Sequence, residues 1–339
     1  MSLVDPHTQP AVDEYSARTH DEQEALAAEE ALDGRPFELS SSRKGMFGEL
    51  ISDKSGFAGV VFLLIVVIAA VLAPWVAPYG PTEGSLSSAN IEPVWKSGDW
   101  SHVLGTDPQG YDVLSRLIWG ARTTLLISTA VVLIAGLIGV SLGLYAGYRG
   151  GRLDRVIMGW VDVQVAFPGL LISMIMVAVI GGSIPTLIFV LAFNGWMVYA
   201  RMTRGVVLSV KERPYVEAAE MIGCRPKRVM FVHILPNLTA ALSTLAVLEF
   251  ARIILAEATL SFLGLGLQFP DVSLGVVANN GREAIFNAPR LVVIPGIVIS
   301  LIVLAVNFVA SWLRVVFDPQ EREKRFAAGA TASAGRGAA

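Results

Sequence analysis

The sequence predicts an all-α, polytopic membrane protein with six transmembrane helices. Hydrophobic residues make up 53% of the 339 residues, and charged residues make up only 16%. The mean hydropathy of the chain is +0.58. This balance is typical of a chain that lies mostly in a bilayer rather than of a soluble domain. Six apolar runs also approach the ~20 residues that a helix needs to cross a membrane.

The N-terminal stretch, residues 1–50, is rich in Asp, Glu, Ala and Ser and has no apolar periodicity. We expect an acidic, disordered tail with some helix near Glu22–Leu32. The tail lacks the apolar core of a signal peptide, so the first apolar run, from Phe57, is expected to be retained as a span. Lys44–Ile51 suits a surface helix or a plain linker equally well. Residues 321–339 are expected to form a second disordered tail.

The six apolar runs and their flanking charges predict one orientation. Arg and Lys residues concentrate before the first run, between the second and third, between the fourth and fifth, and after the sixth. Basic residues of short loops tend to stay on the cytoplasmic side. Both termini are therefore predicted to be cytoplasmic. The spans are placed at 57–78, 123–148, 156–180, 184–200, 237–263 and 291–313.

The spans divide the rest of the chain into two parts. Residues 51–122 hold the first span and a long outer connection. Within that connection, Asp112–Ala121 has apolar residues at helical spacing, which predicts a helix along the outer membrane interface. Residues 123–320 hold the other five spans and a polar cytoplasmic loop at 211–237.

Four ionisable residues stand out within the predicted spans. Asp162 lies near the inner half of span three, and Glu249, Arg252 and Glu257 lie in span five. Ionisable groups at membrane depth usually face a protein interior or an aqueous path. Glu249 and Arg252 are three residues apart, so they can pair on one helix face. Asp162 can pair with a neighbouring basic group or lie in contact with water near the membrane surface, whereas Glu257 can have a structural partner or line an aqueous path. All four residues are candidates to line such a path.

Span two carries a row of glycines four residues apart, Gly139, Gly143 and Gly147. Such a row lets the backbone of another helix approach closely. The neighbouring helix is expected either within the same chain or across a subunit interface.

The polar loop at Tyr215–Asn237 interrupts two long apolar runs. Pro214 fits the first turn of a short helix, because its missing N–H is not needed there. Gly223 fits the left-handed residue that ends this helix. Pro226 is expected to open a second short helix, and Pro236 marks the start of the next span. The loop is therefore predicted to be a helix–Gly–helix hairpin.

This hairpin resembles the EAA loop of ABC importer permeases, in which Glu-Ala-Ala is followed at fixed distances by Gly and by Leu-Pro. The matching positions are Glu217, Ala218, Ala219, Gly223, Leu235 and Pro236. The resemblance implies that the loop docks onto a cytoplasmic ATPase. The two alanines are small enough for a partner surface to approach, and Glu217 can face a basic partner. His233 stands where isoleucine is usual, as is common in the peptide-permease branch.

Two other stretches resemble the C-type subunits of dipeptide and oligopeptide importers. EATLSFLGLGL at 257–267 and LGTDPQGYDVLSR at 104–116 occur in the family's order. Tyr111 replaces an Arg that is usual in the second stretch. The family's ending Leu-Asp-Pro-Arg reads Phe-Asp-Pro-Gln at 317–320. The resemblance covers nearly everything except the two tails.

The resemblance implies the type I ABC importer permease fold, which is MetI-like, and a place in the bacterial inner membrane. It implies the permease subunit of an ATP-driven importer of di- and oligopeptides. The expected partners are a homologous permease of DppB/OppB type, two ABC ATPase subunits or domains, an extracytoplasmic substrate-binding protein and the bilayer, but no nucleic acid. No cofactor is expected on this chain, since the ATPases would bind ATP and Mg.

Motifs of other protein classes are missing from the sequence. It contains no G-x-x-x-x-G-K-[ST] loop, so the chain itself is not expected to hydrolyse ATP. Its four His residues are scattered, and no H-E-x-x-H or G-x-S-x-G sequence occurs, which argues against a membrane enzyme. Nickel and opine permeases share the motifs above and stay open as alternatives. A secondary transporter would usually show two matching halves, and no convincing internal repeat is visible.

Overall fold

The computed structural model describes residues 53–317. The expectations for the two tails, including Glu22–Leu32 and Lys44–Ile51, lie outside this range. Between residues 53 and 317 the chain forms twelve α-helices. They are α1 (Lys54–Val71), α2 (Ala73–Val76), α3 (Val94–Ser97), α4 (Val113–Arg149), α5 (Gly151–Val165), α6 (Gly169–Ile180), α7 (Ile184–Lys211), α8 (Pro214–Met221), α9 (Pro226–Arg228), α10 (Leu235–Phe262), α11 (Leu274–Asn280) and α12 (Arg290–Phe317).

The all-α membrane fold predicted from composition is confirmed. The described chain has five helices that are long and apolar enough to cross a bilayer, formed by α1, α4, α7, α9 with α10, and α12. The bent pair of α5 and α6 is long and apolar enough to be a sixth span when the two helices are taken together. In the same part of the chain, extended backbone pairs only at two isolated bridges, Gly84 with Tyr111 and Thr106 with Asp112.

The third span is not the single helix predicted for 156–180. Instead, α5 and α6 meet at an angle of 83°. Ala166 ends α5, and Pro168 precedes the first residue of α6. The helix breaks here because proline has no N–H to continue the hydrogen-bond ladder and disfavours helical backbone in the residue before it. Residues 166–168 therefore form an elbow between two half-helices.

The helix predicted along the outer interface at Asp112–Ala121 is not a separate element. Asp112 caps α4 by accepting a hydrogen bond from the Ser115 amide at 2.8 Å. The helix then continues through its 37 residues, because no proline or turn sequence follows Ala121 to end it. A helix of this length spans about 55 Å, more than the ~30 Å hydrocarbon core of a bilayer. The predicted division between residues 122 and 123 falls inside α4.

The glycine row of span two packs within the chain, against α7. A Cβ atom at Gly139 would collide with the Trp196 carbonyl oxygen, and one at Gly143 would collide with the Ala200 carbonyl oxygen. The third glycine of the row lies similarly close to α7. Because glycine has no side chain, the two backbones can pack in direct contact. Of the two alternatives open from the sequence, the contact within the chain is the one formed.

The second helix of the polar hairpin is continuous with the fifth span. α9 opens at Pro226, as predicted, and a π-helical turn, Val229–Ile234, joins it directly to α10. The expected boundary at Pro236 therefore does not separate two elements. Pro236 has no N–H to donate to the preceding turn, and the wider π turn accommodates this. The result is one helical rod from Pro226 to Phe262.

Candidate functional site

The polar hairpin, residues 211–237, rests on the ends of α4 and α7. Val216, on the inner face of α8, is completely buried. It belongs to an apolar cluster that we name the hairpin seat. The hairpin seat consists of Leu144, Tyr148, Val207, Val210, Val216, Val229, Met230, Ile234 and Leu238. Side chains from α4, α7, α8, the π turn and α10 thus meet in one cluster. A movement of the hairpin is therefore passed to the spans that it contacts.

The opposite face of α8 is open. Glu217 and Ala218 are exposed, and the Met221 and Ile222 side chains are 85% and 81% exposed. Ala219, in contrast, is buried against its own chain. The expectation that both alanines face a partner is therefore wrong for Ala219. Helical periodicity explains this, because Ala219 lies one turn after the residue that enters the hairpin seat.

The turn after α8 has the predicted left-handed backbone. Gly223 has a φ of +82° and lies in open space, so its conformation rather than its surroundings demands glycine. The Cys224 amide closes the turn by donating to the Ala219 carbonyl oxygen at 3.1 Å. Leu235 packs half-buried against the hairpin seat, and Pro236 is exposed.

Polar contacts near the hairpin are only partly buried. The Lys211 ammonium donates to the Tyr148 carbonyl oxygen at 3.1 Å and lies 5.3 Å from the centre of the Tyr148 ring. The Arg204 guanidinium makes a two-pronged ion pair with Asp154, with Nη2 2.7 Å from Oδ2. The Arg204 side chain is 34% exposed. These contacts tie α7 to α4 and α5 near the end of the bundle that carries the hairpin.

Two ion pairs lie within the spans. Arg252 donates from Nε and Nη2 to Glu249 Oε2 at 2.8 and 2.6 Å, so the predicted pair on α10 is formed. Asp162 pairs with Arg201 of α7 at 2.6 Å. From the sequence, Arg201 was interpreted only as a loop charge, and its pairing with Asp162 was not predicted. Both arginine side chains are about half exposed in the chain, at 49% and 52%.

Both arginines line a cavity of about 660 Å³ beside the elbow. We name it the elbow cavity. Its walls are formed by residues of the elbow, α6, α7 and α10. Its polar side chains are Ser173, Asn194, Arg201 and Arg252. Asn194 was missed from the sequence, where it is a single amide in an apolar span. Within residues 53–317 no group of three or more His, Cys, Asp or Glu side chains is arranged to hold a metal ion.

Glu257 does not line the elbow cavity. Its side chain is completely buried, and its carboxylate accepts hydrogen bonds from Thr124 Oγ1 at 3.1 Å and Ser261 Oγ at 2.7 Å. Thr124 Oγ1 also accepts a hydrogen bond from the Leu274 amide at 3.2 Å. These contacts link α4, α10 and α11 in one polar cluster. The geometry therefore favours a structural role for Glu257 over a position along a pathway.

The stretch at 104–116 folds into a second buried cluster, which we name the loop knot. Arg116 donates to Asp107 Oδ2 at 2.8 Å, and both side chains are almost fully buried. The Arg116 guanidinium also lies 4.7 Å from the centre of the Tyr111 ring. His102 contacts Asp112, the residue that caps α4, at 3.0 Å. The motif was identified from the sequence, but the pairing of Arg116 with Asp107 was not predicted. A turn without helical periodicity separates these two residues, so their spacing gives no sign of the contact.

Comparison with known proteins adds to this geometry. Residues 139–323 match the family described as "Binding-protein-dependent transport system inner membrane component". Residues 43–93 match the family described as "N-terminal TM domain of oligopeptide transport permease C". A solved chain of the MetNI methionine ABC transporter in an inward-facing conformation has a TM-score of 0.49 and 18% identity, covering 61% of this chain and 96% of that chain.

Relatives of known designation match over most of their length. The di/tripeptide transport system permease protein DppC of Pseudomonas aeruginosa (strain UCBPP-PA14) is 38% identical over 281 residues, which are 83% of this chain and 93% of the relative. The dipeptide transport system permease protein DppC of Escherichia coli (strain K12) is 40% identical over 272 residues, 80% of this chain and 91% of the relative. This chain therefore belongs to the inner-membrane permeases of binding-protein-dependent ABC transport systems, in the DppC/OppC branch.

Proposed function

We propose that this chain is the permease subunit of an ATP-driven importer of di- and oligopeptides. The polar hairpin is the observation that carries this proposal. One side of α8 is held in the hairpin seat, and the other presents Glu217, Met221 and Ile222 to the surroundings. Exposed apolar side chains beside charges are typical of a surface that another protein covers. The relatives are designated as permeases of dipeptide and di/tripeptide transport systems, which supplies the substrate class.

The partners follow from the same role. Two ABC ATPase subunits or domains bind ATP and Mg and contact the exposed face of α8, while this chain is not catalytic. A homologous permease completes the pathway, and a substrate-binding protein delivers peptide from outside. Closure of the ATPases moves the hairpin, and the hairpin seat passes that movement to α4, α7 and α10. Such coupling requires contacts that differ between two states of the importer.

The proposed role requires the hairpin and both termini to lie in the cytoplasm. Single cysteines at Ser87→Cys and Lys227→Cys, each in a Cys224→Ser background, test this arrangement. Both positions are exposed, so accessibility within the fold does not bias the comparison. In intact cells a membrane-impermeant thiol reagent should label the first and not the second. Equal labelling would contradict the orientation.

Growth of a deletion strain tests the function itself. An amino-acid auxotroph that lacks this chain should not grow on a dipeptide or a tetrapeptide as the source of the required amino acid. Restoring the chain on a plasmid should restore growth, which controls for effects on neighbouring genes. If a strain without any other peptide importer grows unchanged on both peptides but loses nickel accumulation, the metal-permease alternative replaces the proposal.

A further inference from the structure

We propose that the elbow cavity binds the C-terminal carboxylate of the transported peptide, an inference that rests on the proposed function. The first observation is the start of α6. This helix has no side-chain cap, and the Gly169 and Leu170 amides have no acceptor among the described residues. Both residues line the elbow cavity. Free amides and the positive end of a helix dipole favour an anion at this position.

The second observation is Asn194, which is only 5% exposed. Its Nδ2 donates to Ser173 Oγ at 2.9 Å and to the Val190 carbonyl oxygen at 3.1 Å. Its Oδ1, in contrast, has no partner among the described residues. A Cβ atom built on Gly169 would lie 3.4 Å from Oδ1, so this oxygen faces the start of α6. A buried acceptor within a bilayer is costly unless a donor reaches it.

A peptide C-terminus offers both groups that this arrangement needs. Its carboxylate suits the Gly169 and Leu170 amides, and the N–H of the last peptide bond, only two bonds from the carboxylate carbon, suits Asn194 Oδ1. A fully deprotonated inorganic anion such as chloride or sulfate would supply the charge but no donor for Asn194. The geometry therefore points to a carboxylate with an adjacent N–H rather than to an anion alone.

The two arginines of the cavity keep donors available for the same carboxylate. Arg252 uses Nε and Nη2 on Glu249, and Arg201 uses Nη2 on Asp162. A guanidinium has five N–H groups, so each arginine retains others. Since each guanidinium already has its own carboxylate, neither arginine brings an unpaired charge into the cavity. An arriving carboxylate can accept charge-assisted hydrogen bonds without breaking either pair.

Three of these groups lie at a similar distance from the same end of the bundle, where Gly182 packs against Gly266. Gly169, Asn194 and Arg252 each lie about ten residues, roughly 15 Å, from the helix end nearest the 181–183 turn or the connection after α10. That distance is about half the ~30 Å hydrocarbon core. Half-helices whose N-termini face anionic groups at the midplane are a recurring way to bind substrates in transporters. A site that holds the C-terminus also accepts peptides of any sequence, because every peptide carries that group.

The experiment measures ligand-dependent stability of the assembled importer, purified in detergent without its substrate-binding protein. Trialanine and trialanine amide are added at millimolar concentration, and thermal unfolding is followed. We expect trialanine to raise the melting temperature by roughly 2–4 °C and the amide to leave it unchanged. Asn194→Asp, which places a like charge beside the carboxylate, should abolish the shift. Arg204→Gln, which alters an ion pair outside the cavity, should retain it.

The double variant Glu249→Gln/Arg252→Gln gives a second test, because it removes one guanidinium without leaving its partner charge unpaired. It should reduce the shift at least twofold. Equal shifts with trialanine and its amide would overturn the proposal, as would no shift in the unaltered complex, the result expected if a partner permease fills the cavity. If peptide uptake persists without any shift, this inference fails while the proposed function stands. If uptake itself is absent and nickel is transported, the proposed function fails.

Discussion

The two ends of the bundle are held together by different kinds of contact. At the end that carries the loop knot, Arg116 and Asp107 form an almost fully buried ion pair. At the end that carries the hairpin, Arg204 and Asp154 are partly exposed, and the hairpin seat is apolar. Buried charges demand one geometry, since a misplaced partner leaves a charge unpaired. Apolar surfaces tolerate small displacements. The first end is therefore built to be fixed, and the second can move with a partner.

The largest expected effect comes from a substitution at the end of the bundle that carries the loop knot. Arg116→Gln leaves the Asp107 carboxylate buried without its ion-pair partner, so it should destabilise the fold by about 3–5 kcal/mol. Thermal unfolding of the purified complex measures the loss. Adding Asp107→Asn should recover part of it, because the uncompensated charge is then gone. A double variant as unstable as the sum of the two singles would show that the pair is not coupled.

A second test concerns the α4–α7 contact that joins the two ends. Gly143→Ala places a Cβ atom against the Ala200 carbonyl oxygen and should destabilise the fold by about 1–3 kcal/mol. Gly136→Ala is the matched control on the same helix, because its Cβ would meet only the Tyr199 ring, at 3.7 Å. Alanine also suits a helix better than glycine does. If both variants unfold at the same temperature, the close approach of the helices is not important for stability.

A third test addresses the movable end. Gly223→Val forces a β-branched residue into a left-handed backbone, at a cost of about 1–3 kcal/mol confined to the hairpin. Gly223→Asn is the control, because asparagine tolerates that conformation. We expect the valine variant to assemble in the membrane but to lose most peptide uptake and peptide-stimulated ATPase activity. The asparagine variant should keep both. Equal uptake by the two would remove the Gly223 turn from the coupling mechanism.

The smallest expected effect is at the partly exposed pair. Arg204→Gln should lower stability by only about 0–1 kcal/mol, because water and salt screen such pairs. The same unfolding assay compares it directly with Arg116→Gln. The loss should also shrink as salt concentration rises, whereas the loss at the buried pair should not. A loss of the same size at both sites would remove the proposed difference between the ends.

The features that could be predicted from the sequence are those that depend on residues close to one another along the chain. Helical spacing placed Glu249 and Arg252 on one face, and the backbone freedom of glycine placed a turn at Gly223. The length of the apolar runs predicted the spans. The break at the elbow contains one proline, but proline is tolerated in many membrane helices, so its effect depended on the surroundings.

The features that were missed depend on distant parts of the chain. Arg201 meets Asp162 only because α7 packs beside α5, and Asn194 faces the elbow only because α6 bends away. Buried hydrogen bonds of Glu257 likewise join three elements. No local period specifies such contacts, since they follow from the way the helices pack. For the same reason the sequence assigned Ala219 to a partner, although the inner face of α8 belongs to the hairpin seat.

Because α9, the π turn and α10 are continuous, this rod can pivot as one unit. Near one end of the rod, Glu257 accepts a buried hydrogen bond from Thr124 of α4, and the same hydroxyl accepts one from the Leu274 amide of α11. These contacts hold the rod at Glu257, so we take Glu257 as the point about which it pivots. Pro226, at the end of the rod that joins the hairpin, lies roughly 46 Å along the rod from Glu257, and Arg252 lies only about 7 Å from it. A displacement of the hairpin would therefore move Arg252 only about one sixth as far. This ratio converts a large movement of the hairpin into a fine adjustment of the Arg252 guanidinium.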